Sequence, residues 1–187
     1  MSHINDYFAG LQALIADLDY ARVDRLTDLL HEAWSDGKNV LIFGNGGSAA
    51  SASHIVNDLQ KCIYLDSGKP IRALCLSDNT PLVLAWGNDT DFSNIYAPQI
   101  ECWAGPGDLA IGISGSGNSP NIIRAVEAAN ARGARTFGLA GYGGGELARV
   151  AKESLVLQTH NMQHIEDIHM AVLHGVFSAL RERTRRA

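Results

Sequence analysis

The sequence predicts an α/β fold: a three-layer α/β/α sandwich around a five-stranded parallel sheet. Three observations predict it. Five short β-branched or apolar runs alternate with helical patterns along the chain. Two of those runs pass directly into glycine- and serine-rich turns that open helices. The helices after those turns are dominated by alanine and other small residues, which suits close packing on a sheet.

The elements follow in order. Tyr7, Leu11, Leu14, Ile15 and Leu18 recur at helical spacing, and Val23, Leu26, Leu29, Leu30 and Ala33 repeat the pattern before Gly37 stops it. These two helices form an N-terminal segment, residues 1–36, whose apolar faces suit packing between subunits. Strands are expected at 39–43, 72–76, 108–113, 135–139 and 154–157. Helices are expected at 49–61, 81–86, 92–103, 120–132, 146–151 and from 162 to about 183. The basic tail, 181–187, is expected to fray. No linker, repeat or low-complexity stretch divides the chain, so residues 1–187 are read as one domain.

Composition narrows the function. With 46% hydrophobic and 19% charged residues the chain is globular, and a formal charge of −5 offers no basic footprint for nucleic acid. Cys62, Cys75 and Cys102 are odd in number and show no C-x-x-C pairing, as in thiols of a reducing compartment. No run approaches the ~18 apolar residues of a membrane span, and no signal-peptide pattern opens the sequence. A cytoplasmic protein without membrane partners is expected. Trp34, Trp86 and Trp103 lie in apolar stretches and read as packing residues.

Two loops carry the functional signal. Gly44-Asn45-Gly46-Gly47-Ser48 follows the first strand and opens a helix; Ser114-Gly115-Ser116-Gly117-Asn118-Ser119-Pro120 follows the third and does the same. In the second, Ser119 is placed to cap and Pro120 to occupy the first helical position. Free N–H groups and serine hydroxyls at such turns make an uncharged cradle for a dianion, which suits a phosphomonoester in an acidic protein. Ligands of open α/β sheets bind at the carboxyl ends of the strands, where both loops lie. Neither loop carries G-x-x-x-x-G-K-[ST], and the first is not a G-x-G-x-x-G, so no nucleotide cofactor is expected. A third loop, Gly141-Tyr142-Gly143-Gly144-Gly145, reads as a turn.

Gly-Asn-Gly-Gly-Ser-Ala-Ala after the first strand, with Ile-Ser-Gly-Ser-Gly-Asn-Ser after the third, resembles the signature pair of the sugar isomerase (SIS) domain. The likeness extends through Asn88-Asp89 and residues 141–146 to residues 165–174, and its pattern is that of phosphoheptose isomerases. It implies a five-stranded parallel sheet, a homotetramer with active sites between subunits, and a phosphorylated sugar as ligand. It implies that Ser48, Ser114, Ser116 and Ser119 hold the phosphate while Asn45, Gly46 and Asp89 line the sugar.

Aldose–ketose isomerisation needs a base beside the reacting carbon and an acid or metal on the carbonyl. His54 and Asp58, four residues apart, share a helix face and could act together or be a surface pair. On the last helix Ile165, Ile168, Val172 and Val176 form a buried stripe, leaving Glu166, Met170 and His174 along another face. His160, His164 and His169 read singly as structural or solvated. The resemblance implies zinc, or another divalent metal, at His54, Asp58, Glu166 and His174, with Asp58 and His174 as the acid–base pair. Glu166 and His174 are eight residues apart, ~12 Å along a straight helix, so sharing one ion requires convergence or a neighbouring subunit.

The chain departs from the family pattern at several points. Asp58 stands for the usual glutamate and Glu166 for the usual glutamine. Cys62 beside Lys61 replaces an arginine, Gln163 an aspartate, and Gly115 a threonine. The phosphate cradle is retained while the shell that reads the sugar is altered. Sedoheptulose 7-phosphate or a related sugar phosphate is the expected substrate. The alternatives are a non-catalytic relative of the replication-initiator-associating type and a sugar-phosphate sensor. Retention of His174 beside His54 and an acid at 58 counts against the first, and the absence of a DNA-binding extension against the second.

Overall fold

The computed structural model describes residues 3–185. Its element order is α1 (His3–Ala16), α2 (Tyr20–Ser35), β1 (Asn39–Gly44), α3 (Gly47–Ser67), β2 (Arg72–Cys75), α4 (Thr80–Asp89), a 3-10 turn (Phe92–Asn94), α5 (Ala97–Trp103), β3 (Leu109–Ser114), α6 (Pro120–Ala131), β4 (Arg135–Ala140), α7 (Gly145–Val150), β5 (Glu153–Val156) and α8 (Met162–Arg185). The five strands pair in the order β2-β1-β3-β4-β5, and every pairing is parallel. The three central strands are buried along almost their whole length, which is why they read as continuous apolar runs.

One core packs α2, α3 and α8 against one face through Leu26, Leu30, Ile55, Leu59, Ile168 and Val172. The other packs α5, α6 and α7 through Ile100, Ile122, Val126 and Leu147. The three-layer sandwich is therefore the observed fold. No described helix is long and apolar enough to cross a membrane.

Some boundaries move for physical reasons. The helix expected over 92–103 is interrupted: Asp91 caps the 3-10 turn through Ser93 N–H at 2.8 Å, and α5 starts afresh with Pro98 in its first turn. Proline lacks the N–H that a continuous helix would need there. Helix α3 runs past 61 to Ser67, where Gly68 ends it at φ 71°. The expected fraying of the basic tail is corrected. Helix α8 continues to Arg185 because Arg181 and Arg185 both pair with Asp66, and Arg183 with Asp28. Residues 186 and 187 lie outside the described part. Trp34 is buried and donates to Lys69 O at 3.2 Å, whereas Trp103 is 54% exposed beside Leu41, Ala73 and Leu74 and is not a core residue of this chain.

Two groups tie stability to pH. His169, 1% exposed on α8, has no hydrogen-bond partner on either ring nitrogen. Burial lowers its pKa to about 4; the nearby Ala140 carbonyl, out of bonding geometry, offsets only part of this. Between pH 6.5 and 4 the unfolded chain takes up a proton that the folded one refuses, so stability present above 6.5 is lost as pH falls toward 4. At 1.36 kcal/mol per pKa unit the loss is about 3 kcal/mol. Denaturant melts from pH 7 to 4 should therefore fall more steeply for the native chain than for His169→Phe, which cannot titrate. Parallel curves would contradict a buried neutral imidazole. Asp66, held at about 2 chiefly by its hydrogen bond from Arg181, adds a loss at lower pH.

Candidate active site

Strand β1 pairs with β2 on one side and β3 on the other, so the chain's winding reverses between β1 and β3. The loops leaving two strands at such a point diverge and open a crevice. The two glycine-serine loops are the ones that leave β1 and β3. Between them lies a cleft of ≈150 Å³. Asn45 and Ser48 line it from the first loop, Ser114, Gly115, Ser116 and Ser119 from the second, and Met162 and Glu166 from α8.

Local geometry explains the loop sequences. Gly46 caps α3 at φ 53°, leaving the helix start without a side-chain cap. Gly117 turns at φ 69° and packs so closely on the third loop that a Cβ there would lie 2.1 Å from Gly144 O. Leu147 N–H donates to Gly117 O at 2.8 Å, and Gly141 N–H to Gly115 O at 2.9 Å. The third loop, expected only to turn, thus braces the second. Ser119 stands at the N-cap of α6 but does not cap through its side chain; its hydroxyl pairs instead with that of Ser114 at 3.1 Å. Two hydroxyls held together in this way present one shared acceptor-donor pair to the cleft.

Of the residues expected around a phosphate, Ser48, Ser114, Ser116 and Ser119 all reach this cleft. Of those expected around the sugar, Asn45 lines it, and Gly46 shapes its first loop. Asp89 does not line it. It ends α4, accepts from Asn88 Nδ2 at 2.8 Å, and borders an apolar hollow with Leu82, Ala85 and Trp86.

Asn121 is a residue that sequence reasoning missed. It is 1% exposed, and its amide exchanges two hydrogen bonds with Asn45, at 2.9 and 2.7 Å, fixing the first loop to the start of α6. The available signal was its register: Asn121 shares the helical stripe of Ile122, Ala125, Val126 and Ala129, where a polar residue must find a partner.

Along α3 and α8 from the cleft, a second cluster forms. His54 Nε2 lies 2.9 Å from His174 Nε2 and 3.4 Å from Asp58 Oδ2, and His174 Nε2 lies 3.9 Å from the same oxygen. Asp58 Oδ1 accepts from Asn57 Nδ2 at 3.2 Å, which leaves Oδ2 turned to both imidazoles. These three residues could hold a metal ion. The three separations fall around the ~3.4 Å edge of a tetrahedron with bonds near 2.1 Å, so the donor set fits a divalent cation with a further position free. Glu166 is not in this cluster. Its carboxylate lies over Gly47, where a Cβ would meet Oε1 at 2.7 Å, and it faces the serine cleft. His54 and His174 are about half exposed and Asp58 is 21% exposed, so solvent reaches the cluster in this chain.

The sequence matches the SIS domain over residues 6–141. The chain belongs to the SIS domain family. Its relatives place it in the phosphoheptose isomerase branch. It is 38% identical over 172 residues to the phosphoheptose isomerase of Trichlorobacter lovleyi, covering 91% of this chain and 86% of that one. Among solved structures, the phosphoheptose isomerase from Francisella tularensis superposes with a TM-score of 0.89 at 25% identity, with 96% of each chain covered. The phosphoheptose isomerase GmhA from Neisseria gonorrhoeae gives 0.86 at 27% identity, covering 95% of this SIS chain and 96% of its own.

Proposed function

We propose that this SIS protein is an aldose–ketose isomerase acting on sedoheptulose 7-phosphate or a closely related sugar phosphate. The observation that carries the reading is the pairing of two sites on the same two helices. The serine cradle is built at the starts of α3 and α6 and bordered by the first turns of α8, and a His-Asp-His cluster stands two to three turns farther along α3 and α8. From Glu166 to His174 the rise is about 12 Å. An extended ketose phosphate of seven carbons, with bonds near 1.5 Å, spans about 9 Å from phosphorus to the carbonyl carbon. With side-chain reach at each end, that length brings the carbonyl to the cluster when the phosphate is in the cradle.

The roles follow from the chemistry. Ser48, Ser114, Ser116 and Ser119 hold the phosphate by hydroxyl and N–H donors, and Asn45, fixed by Asn121, faces the sugar. Asp58 and His174 are the pair that removes a proton from the carbon beside the carbonyl and returns one to its neighbour. His54 Nε2, Asp58 Oδ2 and His174 Nε2 would hold zinc or another divalent ion, which when bound polarises the carbonyl, leaving the second carboxylate oxygen of Asp58 and the other ring nitrogen of His174 for the proton. Asp89, away from the cleft of its own chain, fits a role only where subunits meet, as in a homotetramer with shared sites.

The test is conversion of sedoheptulose 7-phosphate by the purified protein, followed by NMR, before and after chelation. Conversion that chelation abolishes and zinc restores is expected. Binding of the ligand without conversion under all conditions would replace the isomerase with a sensor.

A further inference from the structure

The phosphate cleft is unusual in its charge. Its lining includes no lysine and no arginine, and the one ionisable side chain it contains is Glu166. A carboxylate faces the place where a dianion would sit. Like charges a few ångströms apart repel by several kcal/mol at low effective dielectric and by less near solvent. The four serines supply hydroxyls but no charge to offset it. Buried Ile165 and Ile168 anchor this turn of α8, and the carboxylate rests against the backbone of Gly47, where no Cβ stands in its way.

A carboxylate in such a place is an acceptor with no side-chain donor among the described residues. A ligand that brings hydroxyls near its ester can donate to it through charge-assisted hydrogen bonds, which are about twice as strong as neutral ones. Bare phosphate brings only negative charge. We propose that Glu166 is a specificity-determining residue of the phosphate cleft, selecting polyhydroxylated phosphate esters over inorganic phosphate and unsubstituted phosphomonoesters. This rests on the sugar-phosphate reading above and assigns Glu166 to the cleft, not to the metal cluster. It gives the enzyme a reason to discriminate against free phosphate, which would otherwise compete for the same serines.

The test is calorimetric titration of the full chain and of Glu166→Gln with inorganic phosphate and with sedoheptulose 7-phosphate, alongside a zinc titration. Glutamine keeps the size and one acceptor but removes the charge. Inorganic phosphate should tighten roughly five- to tenfold in the variant. The sugar phosphate should change less than twofold, since lost repulsion is balanced by the weaker hydrogen bond. Zinc affinity should be unchanged. Equal tightening of both ligands, or no change in either, overturns the proposal. So does a loss of zinc affinity, which would make Glu166 a metal ligand. If the native chain binds neither ligand, the sugar-phosphate reading fails and takes this one with it; native binding with an unaltered preference in the variant overturns this one alone.

Discussion

Replacing His174 with alanine lowers turnover by roughly 10²–10⁴-fold, the range spanned by a positioned acid–base group. The same is expected of Asp58→Asn. Both side chains are exposed enough that their removal leaves the core untouched, and neither lines the serine cleft. Affinity for the phosphate end of the ligand should therefore be retained within a few-fold. The split between turnover and binding is the informative part. It requires that the two clusters be the two ends of one site, each doing a different job. Steady-state kinetics with a parallel binding titration checks it. Loss of binding together with turnover would move His174 and Asp58 from chemistry to ligand capture. His54→Ala should resemble them if it holds the ion, and zinc added in excess should restore part of its activity but none of that of His174→Ala.

Gly117→Ala is expected to be the most damaging single methyl in the molecule's site. An alanine at φ 69° costs about 1–2 kcal/mol in backbone strain alone. The added Cβ would then lie 2.1 Å from Gly144 O, a backbone atom that cannot swing aside as a side chain can. The second and third loops must separate, breaking the Leu147 N–H to Gly117 O bond and dislodging Ser116 and Ser119. A destabilisation of about 2–4 kcal/mol and a loss of phosphate affinity of at least about tenfold are expected. Thermal melts and phosphate titration measure the two. Gly143→Ala provides the contrast: it has the same sign of φ, but nothing lies within 4 Å of its added Cβ. Its effect should be confined to the strain, with phosphate binding intact.

The sheet was readable because the central strands are mostly apolar runs and the first and third are followed by turns rich in glycine, serine and asparagine. The cradle was readable for the same reason, since Ser48 and Ser114 through Ser119 are fixed by the strand ends they follow. Residues on helices were harder. Spacing alone puts His54 and Asp58 on one face, but only packing of α3 on α8 shows that His174 joins them at 2.9 Å. The same packing separates Glu166 from that cluster, because eight residues of straight helix carry it about 12 Å away. Asn121 went unseen because its partner, Asn45, is distant in sequence and the pair exists only once β1 and β3 lie side by side. The interruption before α5 was within reach, in Pro98, whereas the ordered end of α8 depends on Asp66 and Asp28, far back in the chain.

The central claim is that Asp58 and His174 move a proton between neighbouring carbons of a bound sugar phosphate. Conversion of sedoheptulose 7-phosphate in deuterated water tests it most directly, with the product's C2 position read by NMR. A base exposed as these are exchanges its proton with solvent between removal and return. Deuterium at C2 of the aldose product, formed roughly 10²–10⁴-fold more slowly in His174→Ala, is the expected result. Conversion at the native rate after removal of His174 would contradict the account.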